Sequence, residues 1–334
     1  MVFGSLNTFD YINKHYAINS ISYIKTTSVT NGKLNNNITC DACGNVYSYG
    51  NINSFSEFSN LEISTDNGSS WNQLNGGTSL RINKLCCSAS GQYLYYIFAN
   101  LLYKSIDKGA TFNNIYTGNN ISALCCSISG KNVYICDLSS SQIDYNVYYS
   151  YNFGATFTAI SNSYHFIDMV CDYTGKYVYA TDGKIFYASD TSGQSFVSTP
   201  ITTSYSIIIS CNSTGKYVYL IAKLLDGKNT VFCNTNYGIG EFKKSIRPES
   251  ILGICCDSTG KYVYVPSITG NFITFYFLYS LDYGSTWNVY YKINIDSGYT
   301  YNSITCDSTG KYVYVSEVNI IGNLNQKLLS FIRA

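Results

Sequence analysis

The chain has 334 residues, 46% of them hydrophobic and only 12% charged, so it carries enough apolar material for a core of its own. Its 21 basic and 20 acidic side chains leave a net charge of +1, which provides no basic field for a phosphate backbone and excludes nucleic acid as the default partner. The start, MVFGSLNTFDYINK, lacks the basic opening and unbroken apolar run of a secretory signal. The most apolar windows, 94–103 and 272–281, fall far short of the roughly 20 residues that span a bilayer. The expectation is a chain with no signal peptide, transmembrane segment or membrane insertion, placed in the cytoplasm or a virion.

Residues 1–36 form an N-terminal segment with two β-like stretches, 2–12 and 18–28. From residue 37 to 334 one phrase recurs. It is clearest as CDSTGKYVYV at 256–265 and again at 306–315, with related copies starting at Cys87, Cys126, Cys171 and Cys211, and a worn copy, one residue shorter, at Cys40. The turn glycines Gly44, Gly91, Gly130, Gly175, Gly215, Gly260 and Gly310 lie 39 to 50 residues apart, a period that belongs to a stacked or circular repeat fold.

Within the repeat that begins near Ser122, an apolar run at 121–127 has strand length and Ile128-Ser129-Gly130-Lys131 has tight-turn chemistry. A second strand at 132–136, a third from Val147 and a short fourth ending at Ile160 complete the unit. Four strands per repeat is the content of one propeller blade. Tyr, Val, Ile, Phe and Thr alternate with period two, and no apolar pattern at helical spacing lasts several turns. The predicted fold is all-β: a seven-bladed β-propeller of four-stranded antiparallel blades. The seventh repeat lacks a fourth strand before Ala334, so the N-terminal segment is expected to close the ring.

A second motif follows the third strand in six of the seven repeats. It reads Ser64-Thr-Asp66-Asn-Gly68-Ser-Ser70-Trp71, then Ser105-Ile-Asp107-Lys-Gly109-Ala-Thr111-Phe112, then Ser280-Leu-Asp282-Tyr-Gly284-Ser-Thr286-Trp287. Degenerate copies place Asn152, Thr191 and Asn236 where the aspartate stands. A short carboxylate there accepts bonds from backbone N–H groups a few residues on, glycine permits the turn, and the aromatic pins it inward. Asp66, Asp107, Asp282, Trp71 and Trp287 therefore read as structural.

This second motif resembles the Asp-box (BNR repeat) of sialidases, xyloglucan hydrolases, the sortilin luminal domain and photosystem assembly-factor propellers. The resemblance covers six of the seven repeats and implies that these turns lie on the face opposite the binding face. A sialidase would by the same resemblance carry an arginine triad. This chain has only Arg81, Arg247 and Arg333, at non-equivalent places in their repeats. The near-uniform repeats and the abundance of Asn, Ile, Tyr and Lys are similar in flavour to repeat proteins of giant DNA viruses, which implies a virion or host-contact component.

Of the 13 cysteines, the recurring ones hold the same place in every repeat rather than falling in pairs, and the cysteines are expected to be free, buried and in a reducing compartment. Cys40-x-x-Cys43 has half a zinc-site spacing, but no second pair follows and only His15 and His165 exist, so neither metal nor cofactor is expected. Counting three places back from each first-strand cysteine gives Asn37, Lys84, Ala123, Asp168, Ile208, Gly253 and Ser303, which should ring the mouth of the central channel. They include one carboxylate, whereas glycoside hydrolysis needs two. Asn37, Lys84, Asp168 and Ser303, with Tyr145 and His165 from variable loops, are the candidate binding residues, and Tyr299 and Tyr301 are further aromatic candidates. No phosphate-cradling loop or nucleophile elbow appears. The reading is a non-catalytic binding or structural module for a protein partner or glycan; the alternative is a glycan-active enzyme or lectin using the channel mouth.

Overall fold

The computed structural model describes residues 21–28, 37–49, 59–75, 79–80, 82–138, 144–160, 164–201, 203–246, 250–251, 253–269, 274–294, 299–319 and 327–333. Its strands form seven antiparallel four-stranded sheets, the sixth with its inner edge split in two. They are arranged as the seven-bladed β-propeller that the repeats predict. Blade 3, for example, runs outward through Ile121–Cys126, Val133–Leu138, Tyr145–Ser150 and Thr158–Ile160. The last blade takes Tyr299–Cys306, Tyr312–Asn319 and Lys327–Arg333 from the C-terminus. Its outer strand is Ile21–Ser28, paired antiparallel with Lys327–Arg333. The closing strand thus comes from the second of the two β-like stretches; the first lies outside the described residues. A two-stranded ribbon, Ser59–Asn60 with Ser79–Leu80, is added beside blade 1. No helix among the described residues is long and apolar enough to cross a membrane.

The Val-Tyr second strands are buried on both sides, because each blade is sandwiched between two others. Alternation then decides which neighbour a side chain meets. Val218 packs with Tyr179 and Phe186 of the preceding blade, whereas Tyr219 packs with Val263 and Leu278 of the following one.

The tyrosines do more than fill space. Tyr95, Tyr134, Tyr179, Tyr219 and Tyr264 each donate a hydroxyl hydrogen bond to the turn-glycine carbonyl of the next blade, at 2.5–2.7 Å. Gly175 shows why the acceptor is glycine: its φ is +78°, and a Cβ there would sit 2.8 Å from the Tyr134 hydroxyl oxygen. Around the axis the same turns are linked by backbone bonds, from Ala42 N–H to Ala89 O through to Ser258 N–H to Ser308 O. The Ser308 hydroxyl completes the circle on Ala42 O at 2.9 Å.

Candidate functional site

The third-to-fourth-strand turns use their carboxylates internally. Asp282 accepts bonds from Ser280 Oγ, Thr286 N–H and Thr286 Oγ1 at 2.6–2.8 Å, while Ser280 Oγ accepts from Gly284 N–H. Asp66 and Asp107 are held in the same way. The Thr111 hydroxyl, then the Thr111 N–H and Ser105, bring Asp107 down to about 2. Burial pushes Asp66 and Asp282 upward, but the combined hydrogen bonds outweigh it and hold both below the usual carboxylate range. Trp287 donates through Nε1 to Ser245 Oγ and Gly284 O, whereas the Nε1 of Trp71 is buried without a partner.

At the other end of the inner strands, Lys84 Nζ of blade 2 lies 3.3 Å from Asp168 Oδ1 of blade 4, with side chains 38% and 26% exposed. Blade 3 contributes only Ala123 at this level, so the two reach each other past it. The second Asp168 oxygen accepts from Ile209 N–H at 3.4 Å. Asn37 is half-buried at the start of the blade 1 inner strand. Ser303 is committed to the ring itself: its N–H bonds Ser316 Oγ and its hydroxyl bonds Ile38 O.

Tyr145 and His165, from different blades, meet. Their rings stack at 3.9 Å with an 18° interplanar angle, and the Tyr145 hydroxyl accepts a 2.8 Å bond from Asn120 Nδ2. The segment carrying His165 and Asp168 is tied to blade 3 by Ser122 Oγ to Phe166 O, Cys136 Sγ to Tyr164 O and Phe166 N–H to Cys136 Sγ.

Two residues that the sequence reading passed over set this platform. Asp137, 1% exposed, accepts from the N–H groups of Asn119 and Asn120 and from Tyr116 OH, and so fixes the loop that presents Asn120. The available signal was an aspartate inside the otherwise apolar strand Val133–Leu138.

Arg333 lies with the opposite face, its guanidinium 3.5 Å over the Tyr262 ring and donating to Thr309 O. Arg81, Arg247 and residues 139–143 of the blade 3 loop lie outside the described residues, as do the side chains of Tyr299 and Tyr301. The cysteines are all free, but only Cys125, Cys136 and Cys233 are buried, and Cys43 is exposed. The recurrent ones are half-buried, and five of them line a 220 Å³ cavity on the axis. A 480 Å³ groove, lined by Ile201, Leu224, Phe232 and Phe242 among others, lies on the rim between blades 4 and 5.

Among the described residues, the mouth does not bring two carboxylates to face one sugar bond. Among the described residues there, Asp168 is bonded to Lys84, and Asp137 is buried with both oxygens engaged. What the arrangement offers is an aromatic stack, an amide and a part-exposed ion pair, which are groups for recognition.

No protein-family model matches the chain, and no curated protein matches it by sequence. Solved structures do match in shape. The GH74 xyloglucanase from Xanthomonas campestris superposes with a TM-score of 0.61 at 12% identity, over 89% of this chain and 53% of that one, so this chain spans about half its length. YCF48 bound to D1 peptide matches with a TM-score of 0.62 at 12% identity, covering 95% and 99% of the two chains. The β-propeller domain of Cps50 (Swd1) from Myceliophteria thermophila matches with a TM-score of 0.66 at 11% identity over 91% and 99%. At these identities the likeness establishes the fold, a β-propeller shared by a glycoside hydrolase and by propellers of other kinds.

Proposed function

We propose that this chain is a non-catalytic propeller that binds a protein partner through the channel-mouth face of blades 2–4, and that its six third-to-fourth-strand turns are Asp-boxes serving as fold staples. The observation that carries the reading is the meeting of Tyr145 with His165 beside Asn120, on the face that also bears the Lys84–Asp168 pair. An aromatic pair with one fixed polar edge suits a partner side chain, and a part-exposed ion pair contributes selectivity more than fold stability. A propeller solved with a bound peptide, YCF48, is among the structures similar in shape, which supports a protein partner. The giant-virus flavour of the repeats makes a virion or host-contact surface the setting to search first.

The second reading, glycan binding or hydrolysis, draws on the xyloglucanase likeness and on the same aromatic stack. One experiment separates them. Wild type, Tyr145→Ala and a Lys84→Ala/Asp168→Ala double variant are compared by cross-linking capture of partners, on a glycan array and against a panel of chromogenic glycosides. The expected result is saturable capture of a protein partner that both variants lose at unchanged melting temperature, with no glycoside turnover. Array binding lost in Tyr145→Ala would favour a lectin, and glycoside turnover by wild type that the Lys84→Ala/Asp168→Ala variant loses would establish an enzyme.

A further inference from the structure

The axis of the propeller is surrounded by thiols whose register is regular. Each recurrent cysteine is preceded in its inner strand by a residue that faces the next blade. In blades 5 and 7 that residue carries a hydroxyl: Ser210 Oγ lies 3.6 Å from Cys256 Sγ, and Thr305 Oγ1 lies 3.4 Å from Cys40 Sγ. In blades 2, 3 and 6 the same place is held by Cys86, Cys125 and Cys255. Each therefore faces the recurrent cysteine of the following blade, and each pair shares one inter-blade core: Cys86 with Cys126, Cys125 with Cys171, and Cys255 with Cys306.

We propose that these three cross-blade thiol pairs are sites of reversible disulfide formation, with Cys255–Cys306 the first to form, so that a small disulfide oxidant staples blade 6 to blade 7. Cys306 is the entry point because it lines the axial cavity, whereas Cys255 does not. The backbone is already drawn together there. Ser258 N–H bonds Ser308 O at 2.9 Å two residues further on, and Cys306 Sγ bonds Cys256 O at 3.3 Å. The two-residue strand Cys255–Cys256 and the strand Tyr299–Cys306 are neighbouring inner strands, and a disulfide between them requires Cα atoms within about 7 Å.

The chemistry is thiol–disulfide exchange. The Cys306 thiolate attacks one sulfur of the oxidant RSSR and expels RS⁻, leaving Cys306 joined to SR. The Cys255 thiolate then attacks the Cys306 sulfur and expels the second RS⁻. The two thiol protons finish on the two released thiolates, so two protein thiols and one RSSR give one protein disulfide and two RSH. The shared hydrogen bond with Cys255, then burial, push the Cys306 thiol well up, and burial pushes Cys255 up. Little thiolate exists at neutral pH, which makes the exchange slow there and faster as pH rises.

The test incubates the native full-length protein with hydroxyethyl disulfide between pH 7 and 9, blocks remaining thiols with iodoacetamide, and maps cross-linked peptides by mass spectrometry. The expected first product is a Cys255–Cys306 cross-link with loss of two of the 13 thiols, forming about tenfold faster per pH unit. The companion variant is Cys255→Ser, which places in blade 6 the residue that blade 5 already carries as Ser210. It should trap Cys306 as its hydroxyethyl mixed disulfide. A first product confined to Cys43, or a Cys255→Ser protein that still forms an internal disulfide at Cys306 as its first product, would overturn the assignment.

Discussion

Five blade junctions are fastened alike, and the two that involve blade 1 are not. From blade 2 to blade 7, each second-strand tyrosine reaches the next turn-glycine carbonyl at 2.5–2.7 Å. At the closing junction Tyr314 is 3.4 Å from Gly44 O and makes its short bond to Asn67 Oδ1 instead, at 2.8 Å. At the next junction Tyr47 turns back to Asp41 Oδ2 of its own blade, at 3.4 Å. Both departures trace to one deletion. The blade 1 turn has one residue, Asn45, between glycine and the Val-Tyr pair where the other turns have two, so Gly44 recedes from Tyr314, and Tyr47 starts one residue nearer Asp41. A circular fold tolerates loose junctions on either side of one blade because the remaining bonds around the ring hold the blades together.

Blade 1 differs in its core as well. Glu62 occupies the third-strand place that Tyr103, Tyr148, Tyr187, Phe232 and Leu278 hold elsewhere, is 4% exposed, and has an Oε2 without a partner. Burial raises its carboxyl to about 7. With the unpartnered Trp71 Nε1, blade 1 holds two of the four orphaned buried side-chain polar atoms among the described residues.

The sharpest way to break this comparison is to remove the same hydroxyl from both kinds of junction. Tyr219→Phe leaves the Gly260 carbonyl unpaired in the core and should cost about 2 kcal/mol in chemical denaturation, whereas Tyr47→Phe should cost under about 1 kcal/mol. Equal costs would mean that the blade 1 junctions are not loose.

Glu62→Leu should stabilise the protein by about 1–2 kcal/mol at pH 8 and by little at pH 4. Between the unfolded value near 4.5 and the folded value near 7, the folded state holds the extra proton, so wild-type stability falls as pH rises through that window and then levels off. Urea melts of both proteins at pH 4, 6 and 8 read the difference directly; parallel pH profiles would remove Glu62 from the account.

In the regular blade 6, Asp282→Ala should cost about 1–2 kcal/mol at neutral pH by leaving the Thr286 N–H without its acceptor. Because Asp282 is held below its usual range, that contribution is present above the ordinary carboxylate pKa of about 4 and is lost as pH falls below it. A variant as stable as wild type, but with impaired binding, would make this turn a functional rather than a structural element.

The smallest stability effect belongs to the Lys84→Ala/Asp168→Ala variant, under about 0.5 kcal/mol for a part-exposed pair. Its melting temperature should match wild type within error, and a large drop would make the pair a structural tie across blades 2 to 4.

The blade count was legible because seven turn glycines and six third-to-fourth-strand turns, five headed by serine and one by Asn234, repeat at local spacing, and each turn is satisfied by atoms within five residues of itself. The candidate platform was legible only in part. Tyr145 and His165 stand out as aromatics in variable stretches, but Asn120 and Asp137 matter through bonds that cross 17 to 25 residues. The cysteines illustrate the limit: their recurrence predicts one environment, yet the adjacent residues decide whether a thiol faces a thiol or a hydroxyl across the blade junction.

Local pattern, then, determined the all-β class, the number of blades, the positions of the turns and the need for an N-terminal closing strand, because backbone hydrogen bonding and period-two burial act over a few residues. Only the closed ring decided which tyrosine reaches which glycine, that Lys84 meets Asp168 past blade 3, and that Glu62 Oε2 is buried without a partner. Those outcomes depend on the distance between chains far apart in sequence, which curvature around the axis sets.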